Sequence, residues 1–244
     1  CLGSFANVCI YRLPKNKQIV SGRSFCPKCK KKINWYDNLP LISFIFLNGK
    51  CRNCNKVIPV RYLIVELITG ISFLLIYLNF KNLNTIIFLS ILILILIIIF
   101  FIDLENFIIP DTLNFSIMGL ALFKNFLPNF NTSLIHEINQ SIIGGMVGYI
   151  SIWLIIYLYK IFKKIDGMGL GDAKLMAGIG FLFGWQSIPF VLFVSSILGL
   201  IFVVPSLIKK QKNMRTEIPF GPFIILACLI YFAYGSLIYD LILV

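Results

Sequence analysis

Apolar residues gather in long runs at approximately 62–80, 86–103, 108–127, 140–161, 172–185, 187–208 and 219–243, joined by short polar connectors and preceded by one long polar segment, 12–61. A hydrocarbon core about 30 Å thick takes about 20 apolar residues wound as a helix. The pattern therefore predicts an all-α, polytopic membrane helical bundle of about eight spans. The first is the apolar stretch 1–10, CLGSFANVCI, which is too short to cross. The chain opens on Cys1 and shows no basic n-region of a signal peptide, so residues 1–11 are expected to be the remnant of a first transmembrane helix. The run at 172–185 is short, about 14 residues or ~21 Å. A re-entrant hairpin there would carry the KKQKNMR loop to the opposite side of the bilayer, against the charge distribution described next, so it reads as a full span. Gly144 and Gly148, and Gly180 and Gly184, have the spacing that lets helices approach closely.

Composition narrows the class. Hydrophobic residues make up 59% and charged residues 13%, with a mean hydropathy of +0.90; soluble domains carry roughly 25% charged residues. A soluble enzyme or an ordinary nucleic-acid binder is excluded. The net charge of +12 is concentrated, because residues 12–61 hold twelve Lys and Arg against Asp37 and so carry +11. Such a segment suits nucleic acid, an anionic lipid surface, or a loop retained on the cytoplasmic side, and the neighbouring spans favour the last. With 12–61 in the cytoplasm, alternation places twenty Lys and Arg inside and two, Lys81 and Lys124, outside.

Four of the seven cysteines form two CxxC pairs in the basic segment, Cys26 and Cys29 (CPKC) and Cys51 and Cys54 (CRNC), with 21 residues between the pairs. Two knuckles of this kind present four thiolates to a tetrahedral Zn²⁺ and staple a segment with too few large apolar side chains for a core of its own. A disulfide pair and a redox CxxC are the alternatives; a cytoplasmic location disfavours the first and the lack of a βαβ context the second. Four thiolates leave no open position, so the metal would be structural. Cys1, Cys9 and Cys228 lie in apolar runs and read as small buried hydrophobes. His136, beside Glu137, lacks partners and is assigned nothing.

The acids sort by side. On this topology Glu137 and Asp240 are outside, while Asp103, Glu105, Asp111, Asp166, Asp172 and Glu217 lie near the inner face and Glu66 just inside the span 62–80. Asp103 ends the most hydrophobic run, SILILILIIIFFID, where an ionisable side chain marks a functional site by default. Asp172 ends GLGD (Gly169, Leu170, Gly171, Asp172), in which flexible backbone precedes an acid at a helix start. Two carboxylates at one membrane depth that share a proton divide into a base that activates water and an acid that polarises the peptide carbonyl. The plainer reading is helix capping, open for Asp111 after Pro110 and for Asp172. It fails for Asp103, which stands at a helix C-terminal end.

The stretches GSFANVCIYRLP (3–14), CPKCKKKINWYDNLPLISFIFLNGKCRNC (26–54), IPVRYLIVE (58–66), IDLENFIIPD (102–111), GMGLGDAKL (167–175) and IPFGPF (218–223) resemble, in order and across nearly the whole chain, the bacterial type IV prepilin peptidases, bifunctional leader peptidase and N-methyltransferase enzymes of the GxGD aspartic peptidase family. Leu63 stands where that family usually has Pro. The resemblance implies a multi-pass inner-membrane aspartic peptidase that removes short basic leaders from prepilins and pseudopilins on the cytoplasmic side. It maps the catalytic pair to Asp103 and Asp172, with Gly169, Gly171, Lys174 and Asp111 supporting the loop and substrate. It also implies methylation of the new N-terminal residue, commonly phenylalanine, from S-adenosylmethionine. That half belongs to the basic zinc-bearing segment and the start of the next span, where Glu66 in RYLIVE is the candidate. The expected organisation is thus a remnant helix at 1–11, a cytoplasmic zinc-binding segment at 12–61 and a transmembrane peptidase domain at 62–244. The expected partners are prepilins and membrane lipid, without nucleic acid.

Two readings compete. An ion-coupled transporter with a zinc-binding regulatory loop would also use intramembrane acids, but here the acids cluster at one face with no pair at the midplane. A membrane-anchored zinc module for nucleic acid would explain the +11 segment, which nevertheless offers few aromatic residues for base stacking.

Overall fold

A computed structural model describes residues 2–19, 25, 26, 28–33, 42–47, 49–126, 138–164, 168–208 and 218–243. Cys1, Asp37, His136, Glu137, Asp166, Glu217 and the KKQKNMR loop lie outside them. The helices are α1 (Leu2–Arg12), α2 (Ile42–Phe46), α3 (Arg61–Asn79), α4 (Leu83–Asn106), α5 (Asp111–Phe123), α6 (Ile138–Lys163), α7 (Leu170–Phe183), α8 (Ser187–Ile208) and α9 (Gly221–Leu243). Among the described residues β-structure is limited to the isolated bridges Phe25 to Lys32 and Lys50 to Val57. The all-α membrane bundle expected from the apolar runs is what forms.

Four helices, α3, α4, α6 and the described part of α8, are long and apolar enough to cross a bilayer. The others are shorter for visible reasons. The apolar run 108–127 yields only the 13 residues of α5. Phe107 takes a left-handed φ of 57° just after α4, and Pro110, extended at φ −62° and ψ 130°, begins the next helix. The chain is therefore broken between residues 106 and 111, immediately after Asp103. The run 172–185 becomes α7, 14 residues that are apolar all round beyond Asp172 and Lys174 near its start, and a helix stretch with no polar face is one that its neighbours enclose.

The chain divides into two compact units, Cys1–Ile98 and Ile99–Val244. In the first, α1 packs on α3 so closely that a Cβ at Gly3 would stand 2.9 Å from the Cα of Glu66. In the second, α7 is packed by α5, α6, α8 and α9. Its seam with α6 is made of the four glycines that the spacing singled out. A Cβ at Gly144 would press on the Gly180 carbonyl and stand 2.6 Å from the Gly184 carbonyl carbon; one at Gly148 would stand 2.6 Å from the Met176 oxygen. Gly184, at φ +76°, closes α7 with its amide on the Gly180 carbonyl at 2.8 Å. Just beyond, Ser187 Oγ donates to the Gly184 carbonyl at 2.8 Å and begins α8. Lys124 is 1% exposed and donates from Nζ to the Leu182 carbonyl at 2.6 Å and the Phe181 carbonyl at 3.4 Å. A cation thus satisfies the last turn of α7, where carbonyls lack partners and the helix dipole is negative.

Candidate active site and metal centre

Asp103 sits in the last turn of α4 and Asp172 in the first turn of α7; they are 4% and 8% exposed. The broken stretch after α4 and the Gly169 to Gly171 turn bring them together. Gly169 is extended, at φ −81° and ψ 147°, and feeds α7. A Cβ at Gly171 would stand 3.1 Å from Ile109 Cβ, and one at Gly221 would stand 3.0 Å from Ile109 Cδ1. Ile109 therefore lies between the turn that carries Asp172 and the start of α9, whose Gly221 faces Asp103, and bare backbone is what allows both to close on it. The two carboxylates are near enough to repel each other through space.

Each acid also meets a helix N-terminus, where unpaired amides and the dipole favour negative charge. The backbone amide of Gly221, first residue of α9, donates to Asp103 Oδ2 at 3.0 Å. For Asp172 the facing amide is that of Gly169. The capping readings are corrected on this point: Pro110 and Gly169 hold the N-cap positions of α5 and α7, and Asp111 and Asp172 lie inside the first turns. Asp111 instead pairs with Lys174 Nζ at 2.7 Å, tying the start of α5 to the start of α7. Below this pair Asn114, fully buried, donates from Nδ2 to the Gly171 carbonyl at 3.4 Å.

Gly221, Ile109 and Asn114 are neighbours of the two acid-bearing turns that the sequence did not assign. The signal for Gly221 was present, a glycine flanked by prolines in IPFGPF, but nothing along the chain links it to an acid 118 residues away.

In the first unit, the sulfurs of Cys26, Cys29, Cys51 and Cys54 all lie within 4.8 Å of one another. A tetrahedral zinc with bonds of about 2.3 Å requires sulfurs about 3.8 Å apart, and Cys26 Sγ and Cys54 Sγ are at 3.9 Å. The knuckles repeat one backbone design. Cys26 N donates to the Lys31 carbonyl and Lys30 N to that of Cys26; Cys51 N donates to the Lys56 carbonyl and Asn55 N to that of Cys51, all at 2.9–3.0 Å. Lys30 and Asn55, each next after a second cysteine, take left-handed φ of 58° and 52°, which turns each knuckle back on the carbonyl of its first cysteine. Burial acts to raise the Cys26 thiol, but hydrogen bonds from the Cys29 and Lys28 amides and from neighbouring thiols outweigh it and hold Cys26 down at about 7. Cys9 and Cys228 are buried in apolar surroundings, as expected.

Glu66 belongs to this first unit, on α3, where it accepts a hydrogen bond from Ser4 Oγ at 2.5 Å. It borders a cavity of about 280 Å³ that α1, α3 and both knuckles line.

Residues 1–80 match the Bacterial Peptidase A24 N-terminal domain, and residues 90–204 match the Type IV leader peptidase family. The chain is 38% identical over 240 residues to the Prepilin leader peptidase/N-methyltransferase of Vibrio cholerae serotype O1, an alignment covering 95% of this chain and 92% of that one. Proteins of the same name from Dichelobacter nodosus and Aeromonas salmonicida are 32% and 30% identical, each covering 96% of this chain and 88% of their own. No solved structure matches.

Proposed function

The chain belongs to the type IV leader peptidase family and is a membrane peptidase with methyltransferase activity, and we propose that Asp103 and Asp172 are its catalytic pair. The observation that supports this most directly is the meeting of two buried acids from helices far apart in the chain, with Asp103 held by the Gly221 amide. One aspartate, ionised, takes a proton from a water molecule as that water attacks the scissile carbonyl carbon. The other, protonated, donates to the carbonyl oxygen, and the proton first taken up passes to the leaving amine. Gly169, where a Cβ would meet nothing nearer than 3.8 Å, leaves room beside Asp172 for an extended peptide, Gly171 lets Ile109 close against the same turn, and the Asp111 to Lys174 pair holds the two helix starts around it.

The substrates in this reading are type IV prepilins or pseudopilins, cut after a short basic leader on the cytoplasmic side of the inner membrane. The charge asymmetry of the connectors supports that orientation. The segment 12–61 is a module stapled by a structural Zn²⁺ on Cys26, Cys29, Cys51 and Cys54. Methylation of the new N-terminus draws on S-adenosylmethionine, which supplies an activated methyl group; Glu66, held by Ser4, serves this half of the reaction.

The test is leader removal from a prepilin by the purified chain in membranes, with Asp103→Asn and Asp172→Asn. Both variants are expected to lose cleavage while remaining folded. Cleavage retained by either one removes the pair from the mechanism.

A further inference from the structure

The cavity of the first unit has the character of a small-molecule site. At about 280 Å³ it stands near the lower end of the roughly 300–1,000 Å³ that such sites enclose. Its lining joins buried acceptors, aromatic rings and exposed cations. At the buried end α1 presents Ser4 and Asn7 and α3 presents Tyr62 and Glu66, each pair about one helical turn apart. Asn7 is 2% exposed; its Nδ2 donates to the Tyr62 carbonyl at 3.1 Å and the Gly3 carbonyl at 3.4 Å, and its Oδ1 has no partner. Buried side-chain oxygens are seldom left without a donor, so this one calls for a group that the protein does not supply. The Glu66 carboxylate adds a second acceptor at the same end. Along the walls stand the rings of Tyr11, Phe44 and Tyr62, and at the rim the exposed ammonium groups of Lys28, Lys32 and Lys56.

We infer that this cavity holds the methyl donor, with Asn7 and Glu66 receiving its hydrogen-bond donors and positive charge, the aromatic walls its purine, and the lysine rim its carboxylate. The inference rests on the methyltransferase reading above and extends it from one residue to a site. S-adenosylmethionine joins in one molecule a sulfonium cation, a flat heterocycle with amino hydrogens, and an amino-acid carboxylate. Acceptors, rings and cations meet in one lining and match those three parts. The site also gives the cysteine knuckles a purpose, because Lys28 lies between Cys26 and Cys29 and Lys56 follows Cys54 by two residues, so the knuckles carry both lysines to the cavity.

The experiment is equilibrium binding of radiolabelled S-adenosylmethionine to the full zinc-loaded chain in detergent, beside a methyl-transfer assay on a cleaved prepilin. Asn7→Leu removes the unpaired acceptor, and Lys32→Glu with Lys56→Glu reverses the rim without touching the buried end. Zinc content and elution volume equal to the parent's mark a folded first unit. Both sets of variants are expected to weaken donor binding at least about tenfold. Parental binding in the folded variants overturns the site while leaving the methyltransferase reading intact. A parent chain that neither binds the donor nor transfers methyl overturns the reading itself, and the site with it.

Discussion

Replacing Gly221 by alanine separates two things a glycine can do. Gly221 lies at the start of α9 and does not take a left-handed φ, so a methyl group there meets no backbone strain and raises intrinsic helix propensity by roughly 1 kcal/mol. The clash is with the site. The new Cβ would stand 2.7 Å from Asp103 Oδ2 and 3.0 Å from Ile109 Cδ1, whereas carbon-to-oxygen contacts settle at about 3.3–3.6 Å. The carboxylate must retreat by about 0.6 Å or more, which stretches its 3.0 Å bond from the Gly221 amide to or beyond the limit of a useful one. A hydrogen bond to a charged group contributes about 1.5–3 kcal/mol, so losing it from the transition state slows cleavage roughly 10- to 150-fold. The assay is kcat/KM for leader removal by the purified variant, beside Gly119→Ala, a helical glycine whose Cβ would meet nothing within 4 Å. Gly119→Ala is expected to cleave at the parental rate and Gly221→Ala to fall into that range at a nearly unchanged Tm. If Gly221→Ala cleaves within about threefold of the parent, the reasoning that this amide holds Asp103 in its working position is refuted.

Metal analysis is expected to find about one Zn²⁺ per chain, reduced by Cys26→Ser or Cys51→Ser; content unchanged in either variant rules out the four-cysteine site. Lys124→Met keeps the volume but strips two carbonyls at the end of α7 of their donor, and is expected to lower stability by about 1.5–3 kcal/mol, read as a lower Tm in detergent. Neutralising the half-exposed Asp111 to Lys174 pair by Asp111→Asn or Lys174→Met is expected to change stability by less than about 1 kcal/mol. A larger loss in denaturant titration would mean that the pair carries more of the α5 to α7 contact than its exposure allows.

The architecture was legible because most of the apolar runs are long, and a run of that length has one way to satisfy its backbone in lipid. Asp103 and Asp172 were legible for a related reason: an acid at the end of SILILILIIIFFID, or behind GLGD, contradicts its surroundings unless it has work to do. Helix ends were harder. Pro110 sits inside an apolar run, and hydropathy passes over the turn that it and Phe107 impose, so α5 is shorter than the run 108–127. Partners supplied by backbone were invisible, since the Gly221 amide has no side chain to announce it. Lys124, counted as a connector charge, spends that charge on the carbonyls of Phe181 and Leu182. Asn7 lay in a stretch read as the remnant of a helix; with Gly3 and Ser4 it marks a polar face at helical spacing that the brevity of the run concealed.

The glycine seam between α6 and α7 makes the proposed catalytic pair mechanically unequal. Where two backbones touch without intervening side chains there is no rotamer to turn and no methyl to compress, so α7 behaves as a fixed beam, pinned at its far end by Lys124. Asp172 rides on that beam. Asp103 hangs from the end of α4, just before a break in the chain, and is tethered across the site by a single amide. In the proposed mechanism a peptide entering between them meets one jaw that does not yield and one that does, and the adjustment to each substrate is made on the side of Asp103.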